Sequence, residues 1–266
     1  MKKWFRFSEL NDQQNQIKVG CQAGDSSTVQ VFSGASILDP GAPTGREVGL
    51  DGIRLLNPIV PSKFLCLWNN FHELAAKIGQ PEPKEPLFFQ KSANSFSSPH
   101  DAIRKPISYD GKVVYEGELG IVIGKPCKDL PEDQAESAIF GFTCVNDVTA
   151  LDLINVDPTF QQWSRAKSCD GFAPFGPAVA VGLDWRNARV RTMVSGKERQ
   201  NYPVADMIFS PPQIVSLLSR ELTLLPGDII SCGTSVGVLP MRPNTTVEVI
   251  VDGIGSLINI YEPAAA

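Results

Sequence analysis

The sequence predicts a mixed α/β fold that is mainly β, a roll or barrel rather than a doubly wound sheet. Two observations predict it. Short strand-like apolar runs recur along most of the chain, while helical spacing is confined to a few segments. The 22 glycines and 21 prolines supply turn chemistry between those runs. With 266 residues, 42% of them apolar, the chain can bury one large core and a smaller second one.

The elements follow in order. Gln16–Gly20 and Thr28–Phe32 alternate polar and apolar residues, as half-buried strands do, and Asp39-Pro40-Gly41-Ala42-Pro43 is a turn. Pro58 and Pro61 are spaced like a linker, so residues 1–57 are expected to form a small N-terminal β domain and residues 58–266 the main domain. Lys63–Leu67 reads as a buried strand. In Asn70–Ile78, Phe71, Leu74, Ala75 and Ile78 fall on one side of a helix, and Gly79 suits the position just past its end. A proline-rich loop, residues 81–86, follows. Further strands are expected at Val113–Ile123, Phe142–Val145, Ala178–Val181, Ile229–Cys232, Thr246–Val251 and Leu257–Tyr261. Helices are expected at Glu132–Ile139 and Pro211–Arg220, which open with the acidic residues or prolines that suit a first turn.

Charge and composition exclude several classes. A formal charge of −5 without a basic stretch argues against nucleic acid and against anionic membranes as partners. Lys2 and Lys3 are followed at once by Glu9, Asn11 and Asp12 rather than by the apolar core of a signal peptide, and no run reaches a membrane span. The six scattered cysteines contain no Cys-x-x-Cys pair, which fits reduced thiols in a cytoplasmic protein. Two histidines are too few for a histidine-rich zinc site.

The chemistry-bearing feature is Tyr115-Glu116-Gly117-Glu118-Leu119. On a strand, Glu116 and Glu118 face the same way, and two carboxylates on an apolar strand repel each other unless water or a shared cation intervenes. A second apolar strand, Gly141–Val148, carries Asp147. Three carboxylates leave positions free for water and substrate, and hard oxygen donors suit Mg²⁺ or Mn²⁺, with Ca²⁺ also accommodated. Arg165 and Lys167, between an aromatic and a Gly/Pro-rich stretch, could meet a substrate carboxylate or enolate; a surface loop is the competing reading. Ile229–Cys232 runs into Gly233-Thr234-Ser235, which offers backbone N–H groups and a hydroxyl to an anion.

These motifs together resemble the fumarylacetoacetate hydrolase family. The resemblance rests on Tyr-Glu-Gly-Glu-Leu, Val-Asn-Asp-Val-Thr-Ala, Gln-Trp-x-Arg-x-Lys-Ser, Phe-Gly-Pro and Pro-Gly-Asp-Ile-Ile-x-x-Gly-Thr, in order from about Leu55 to Ile260. It implies a mixed β-roll, a homodimer, and hydrolysis, decarboxylation, isomerisation or tautomerisation of acylpyruvates and related 2-oxo acids. It places Glu116, Glu118 and Asp147 on the metal ligands, Lys167 on an active-site lysine, Lys91 on a pocket-side lysine, and Thr234 on the pocket face of the Gly-Thr turn.

Two departures bear on mechanism. Many hydrolase and decarboxylase members read Asn-Tyr-x-Asp-His-x-x-Glu, whereas this chain has Asn70-Phe71-His72-Glu73-Leu74-Ala75-Ala76-Lys77, with Leu74 and Lys77 at the His and Glu positions. His72 and Glu73 are the nearby substitutes for a general base, although two residues on a helix is about 200° of rotation. Leu151 and Ile154 stand where many members carry Arg and some carry Gln, which points to a distal substrate end less polar than fumarate. The expectation is therefore a Mg²⁺- or Mn²⁺-dependent hydrolase of an acylpyruvate-like 2,4-dioxo acid. A tautomerase, isomerase or decarboxylase that needs no attacking water is the alternative, and a metal-binding protein without catalysis is the third reading.

Overall fold

A computed structural model describes residues 1–24 and 26–264. It is the mixed, mainly β architecture expected. The main sheet runs, in spatial order, through Pro43–Gly49, Thr28–Phe32, Lys18–Ala23, Lys2–Glu9, Ala173–Val181, Ile139–Asn146, Gly117–Ile123, Ile229–Ser231, Phe64–Trp68 and Leu87–Lys91. Its middle is covered on both faces, which is why every residue of Gly117–Ile123 is buried and the strand reads as a continuous apolar run rather than an alternation. The N-terminal strands continue this sheet: Lys2 pairs with Val181, and Val19 and Ile37 share a core cluster with Phe64 and Phe175.

A second sheet, in the order Lys197–Pro203, Arg189–Val194, Thr245–Val251, Gly255–Glu262, Ala102–Arg104, packs on one face of the first. Leu119 and Ile121 meet Val190, Val249, Val251 and Leu257 there. The helix Pro211–Glu221 adds Ile214, Val215 and Leu218 to the same core. Its start is fixed by two prolines and a capping box between Ser210 and Gln213. The helix His72–Ile78 ends at Gly79, whose φ of 66° allows its N–H to reach Ala75 and Ala76 carbonyls.

Three expectations change. The helix over Glu132–Ile139 is one α turn, Glu132–Ala135, and a 3₁₀ turn, Glu136–Ala138; Ile139 begins a strand, because pairing with Gly117–Ile123 outweighs local helix propensity. The strand over Val113–Ile123 is broken at Tyr115 and Glu116. The segment around Arg165 is a short helix, Trp163–Lys167, rather than a loop.

Asp228, wholly buried in the turn Leu225–Asp228, joins two strands of the main sheet. It accepts from Ser62 Oγ (2.6 Å), Lys63 N–H (2.9 Å) and Leu225 N–H (2.7 Å), and pairs with Lys63 Nζ at 2.7 Å. Asp228→Ala strands these donors and should cost about 3 kcal/mol in urea unfolding. A loss under about 1 kcal/mol would show that the turn is held by other contacts.

Candidate metal centre

Glu116 and Asp147 lie where two antiparallel ladders meet. Gly117 pairs with Asn146 at the end of the long ladder, and Val114 pairs with Thr149 in a two-residue one. Between them residues 115–116 and 147–148 leave the regular pairing, and the Asp147 N–H still donates to the Glu116 carbonyl at 2.9 Å. The opening frees the two carboxylates to turn toward Glu118, which comes from inside the long ladder. Ligand oxygens of all three lie within 4.8 Å of one another. The two glutamates therefore converge as expected, but through a break in the strand and not through simple alternation along it.

Gly117, between the glutamates, is required by close packing. A Cβ there would sit 2.1 Å from Thr192 Oγ1. Its N–H donates to Gln200 Oε1 at 3.0 Å, and its carbonyl accepts from Tyr202 OH and from Thr234 Oγ1 at 3.0 Å. Gln200 Nε2 donates to Thr234 Oγ1 at 2.8 Å, closing the network behind the site.

Two ammoniums face the three carboxylates. Lys167 Nζ donates to Glu116 Oε1 at 2.8 Å and Asp147 Oδ2 at 2.6 Å. Lys91 Nζ donates to Asp147 Oδ1 and, at 3.1 Å, to the Val148 carbonyl. Both lysines are buried, as are Glu118 and Asp147. Burial on its own would raise the Asp147 carboxyl, but the ammoniums of Lys167 and Lys91 outweigh it and hold the carboxyl below its usual range. Burial likewise works to discharge Lys167, and Asp147 and Glu116 overcome it, so Lys167 stays protonated well above neutral pH.

Among the described residues, no ammonium hydrogen-bonds Glu118. Its Oε2 accepts from Ser231 Oγ and, at 3.0 Å, from the Gly233 N–H, while its Oε1 is buried with no hydrogen-bond partner. Burial, then repulsion from Asp147 and Glu116, pushes this carboxyl well above its ordinary value. A buried carboxylate oxygen without a partner, aimed among two others, is what a divalent cation would satisfy, and an all-oxygen donor set suits a hard ion. The residues present fit the ion.

The other predicted residues divide. Lys167 and Lys91 join the cluster. The Gly233 amide (φ 89°) donates to Glu118, and the Thr234 hydroxyl donates to the Gly117 carbonyl, so these two groups of the turn buttress the carboxylates. Arg165 is exposed, because its offset of two positions from Lys167, about 200° of rotation, puts it on the far side of their helix. His72 is exposed with Nδ1 2.6 Å from Glu82 Oε1, and the Glu73 N–H donates to Asp206 Oδ2 at 3.1 Å. Among the described residues, no hydrogen bond links either to the carboxylates. The sequence reading missed Ser231, Gln200 and Thr149, whose hydroxyl donates to Glu116 Oε1. It also missed the aromatic wall. The Phe89 ring lies 5.0 Å from Lys167 Nζ and stacks on Trp163 at 5.4 Å. Spacing could have flagged this wall: Trp163 is one helical turn before Lys167, and Phe89 is two strand residues before Lys91.

Beside this wall opens a cavity of about 660 Å³, lined by Trp68, Phe88, Phe89, Ile154, Gln161 and Trp163 among others. Neither this cavity nor a larger one of about 910 Å³ around His100 and Arg104 is lined by the carboxylates, but the first is lined by Phe89, whose ring lies 5.0 Å from Lys167 Nζ, and by Trp163 on the same helix as Lys167.

The model of the fumarylacetoacetate (FAA) hydrolase C-terminal family matches residues 63–260. The chain belongs to the fumarylacetoacetate hydrolase family. A solved 2-hydroxyhepta-2,4-diene-1,7-dioate isomerase from Mycobacterium marinum superposes with a TM-score of 0.87 at 33% identity, covering 100% of both chains. The oxaloacetate tautomerase YisK of Bacillus subtilis is 34% identical over 79% of this chain and 73% of its own length. A fumarylpyruvate hydrolase from Pseudomonas aeruginosa, solved with Mn²⁺ and pyruvate, has a TM-score of 0.72 at 29% identity over 79% of this chain and 92% of its own. Family members are typically enzymes, and these relatives span isomerase, tautomerase and hydrolase chemistry. No helix among the described residues is long and apolar enough to cross a membrane.

The raised Glu118 carboxyl gives a signed expectation. Without metal the folded state holds this proton more tightly than the unfolded chain, so stability is greatest at low pH and falls as pH rises from the ordinary carboxylate value toward the folded one. Glu118→Gln should therefore be more stable than the metal-free wild type, by a margin that widens as pH rises. At a hundredfold excess over Kd, Mg²⁺ or Mn²⁺ should stabilise the wild type by about 2.7 kcal/mol. That is roughly 5–10 °C in Tm by calorimetry, with little change in the variant. A variant that keeps the full metal shift would remove Glu118 from the ligand set.

Proposed function

We propose that the chain catalyses metal-dependent enol–keto interconversion of a 2-oxo acid, as a tautomerase or isomerase. One observation carries this reading. Two buried lysines stand among the three carboxylates beside an uncharged cavity, while both histidines lie at the surface. Groups that hold developing negative charge are concentrated in the site, and neither histidine lies there to hold a water molecule as a nucleophile. This favours isomerisation over the hydrolysis that the motifs alone suggest. The 2-oxo acid class is carried over from the tautomerase, isomerase and pyruvate-bound hydrolase to which the chain is similar.

A Mg²⁺ or Mn²⁺ ion held by Glu116, Glu118 and Asp147 would supply Lewis-acid polarisation of the 2-oxo group. Lys167, kept protonated by its carboxylate partners, acts as a hydrogen-bond donor and not as a base. Its Nζ, next to the Phe89 ring, would donate to the 2-oxo oxygen, which gains charge as the C3 proton passes to solvent water reaching the open cavity and is returned from it on the way back. Lys91, on Asp147 and the Val148 carbonyl, keeps Asp147 ionised. Phe89 and Trp163 cover one side of the Lys167 ammonium with apolar surface, which strengthens its charge interactions.

Hydrolysis is the second reading, favoured by one feature. Trp68 and Gln80, which bracket the helix His72–Ile78, both line the cavity, so the segment that carries His72 and Glu73 borders it at both ends. For hydrolysis, His72 would have to leave Glu82 and turn inward.

Two assays separate the readings: C3 proton–deuterium exchange of a 2-oxo acid by NMR, and pyruvate release from an acylpyruvate, each with Mg²⁺. Isomerisation predicts exchange that Lys167→Met slows by roughly 10²–10³-fold and His72→Ala changes less than about threefold. Pyruvate release abolished by His72→Ala would favour hydrolysis, and absence of both activities would count against the 2-oxo acid reading.

A further inference from the structure

We infer that the end of the substrate remote from the 2-oxo group is uncharged and apolar, an aryl or branched alkyl tail, so that the substrate is a 2-oxo monocarboxylate. This rests on the 2-oxo acid reading above and narrows it. The cavity of about 660 Å³ borders the aromatic wall that lies against Lys167, and its lining decides what can fill it. Six of its lining residues are aliphatic or aromatic, three are amides, and none is charged.

The amides do not compensate for that. Trp163 Nε1 donates to Gln161 Oε1 at 3.1 Å, and Gln161 Nε2 donates to Asn155 Oδ1 at 3.0 Å. These bonds tie Trp163, Gln161 and Asn155 to one another, and because Phe89 is held between Lys167 Nζ and the Trp163 ring, the indole is the ring of that stack with a face left to border the space. Trp68 meets Trp163 edge-on at 6.0 Å, adding a third ring. A second carboxylate here would lose water and gain no cation, whereas a ring or branched chain would stack on the indole and cover the half-buried wall. Arg165, on the same helix as Trp163, is exposed and lies on the side opposite Lys167.

The structure also refines which position sets this preference. Ile154 lines the cavity and is almost fully buried, whereas Leu151 does not line it and is 42% exposed. Ile154 is therefore the residue whose apolar side chain faces the tail. The cavity, at about 660 Å³, falls in the range of small-molecule sites and leaves room for a ring beyond the three-carbon 2-oxo acid head.

The test compares phenylpyruvate with oxaloacetate, which share the 2-oxo acid head and differ in the tail. Binding to the Mg²⁺-loaded protein is read by calorimetry and by quenching of tryptophan fluorescence, and turnover by C3 exchange. The expected result is at least tenfold tighter binding of phenylpyruvate. Ile154→Arg should reverse the order by giving the tail region a cation, and Trp163→Ala should weaken phenylpyruvate by about tenfold. Circular dichroism of each variant checks that it is folded, and Ile154→Arg keeps the test decisive if Trp163→Ala is not. Equal or tighter binding of oxaloacetate by the wild type would overturn the apolar tail while leaving the 2-oxo acid reading intact. Binding of neither acid, with the metal-induced Tm shift present, would overturn both.

Discussion

Three carboxylates converge on one small space, and two ammoniums neutralise only part of their charge. The excess falls on Glu118, the most buried of the three, whose one oxygen accepts two hydrogen bonds and whose other accepts none. Such an arrangement is costly for a folded protein unless something positive completes it. Lys167 bonds both Glu116 and Asp147, and with Lys91 it holds Asp147 ionised, so the site is organised before any ion arrives. Much of the surrounding structure exists to keep this unstable grouping from relaxing.

The fold does this through a local interruption of regular pairing. The long ladder ends at Gly117 and Asn146, and a short one starts at Val114 and Thr149. Without the gap between them, Glu116 and Asp147 would be committed to strand geometry. The network of Gln200, Tyr202 and Thr234 then grips the Gly117 backbone from behind, and the second sheet supplies both Gln200 and Tyr202. Strain at the site is thus supported by packing between two sheets, where apolar contacts such as Leu119 with Val249 are dense.

Charge and shape divide the work between two neighbouring regions. The carboxylate–lysine cluster is strongly polar and recognises a head group that chelates and carries negative charge. The aromatic wall is apolar, and its polar atoms are bonded among themselves. Phe89 belongs to both, lying under the Lys167 ammonium on one side and stacking with Trp163 on the other. That contact favours the cation electrostatically and links the chemistry to the surface that selects the rest of the molecule.

The sequence by itself determined the mainly β class, the acidic triad and Lys167, because these follow from side-chain period, turn residues and a set of short motifs in order. It also carried the family. It could not show that Arg165 and Lys167 part company, since a five-residue helix is too short to leave a readable period, nor that Ile139 ends a helix and starts a strand. Only the tertiary structure decided those points, together with the union of Phe89 with Trp163 and the opening between ladders at Glu116 and Asp147. The physical reason is common to all of them. Each depends on which residues far apart in the chain meet across sheets, and such contacts leave no local period or spacing in the sequence.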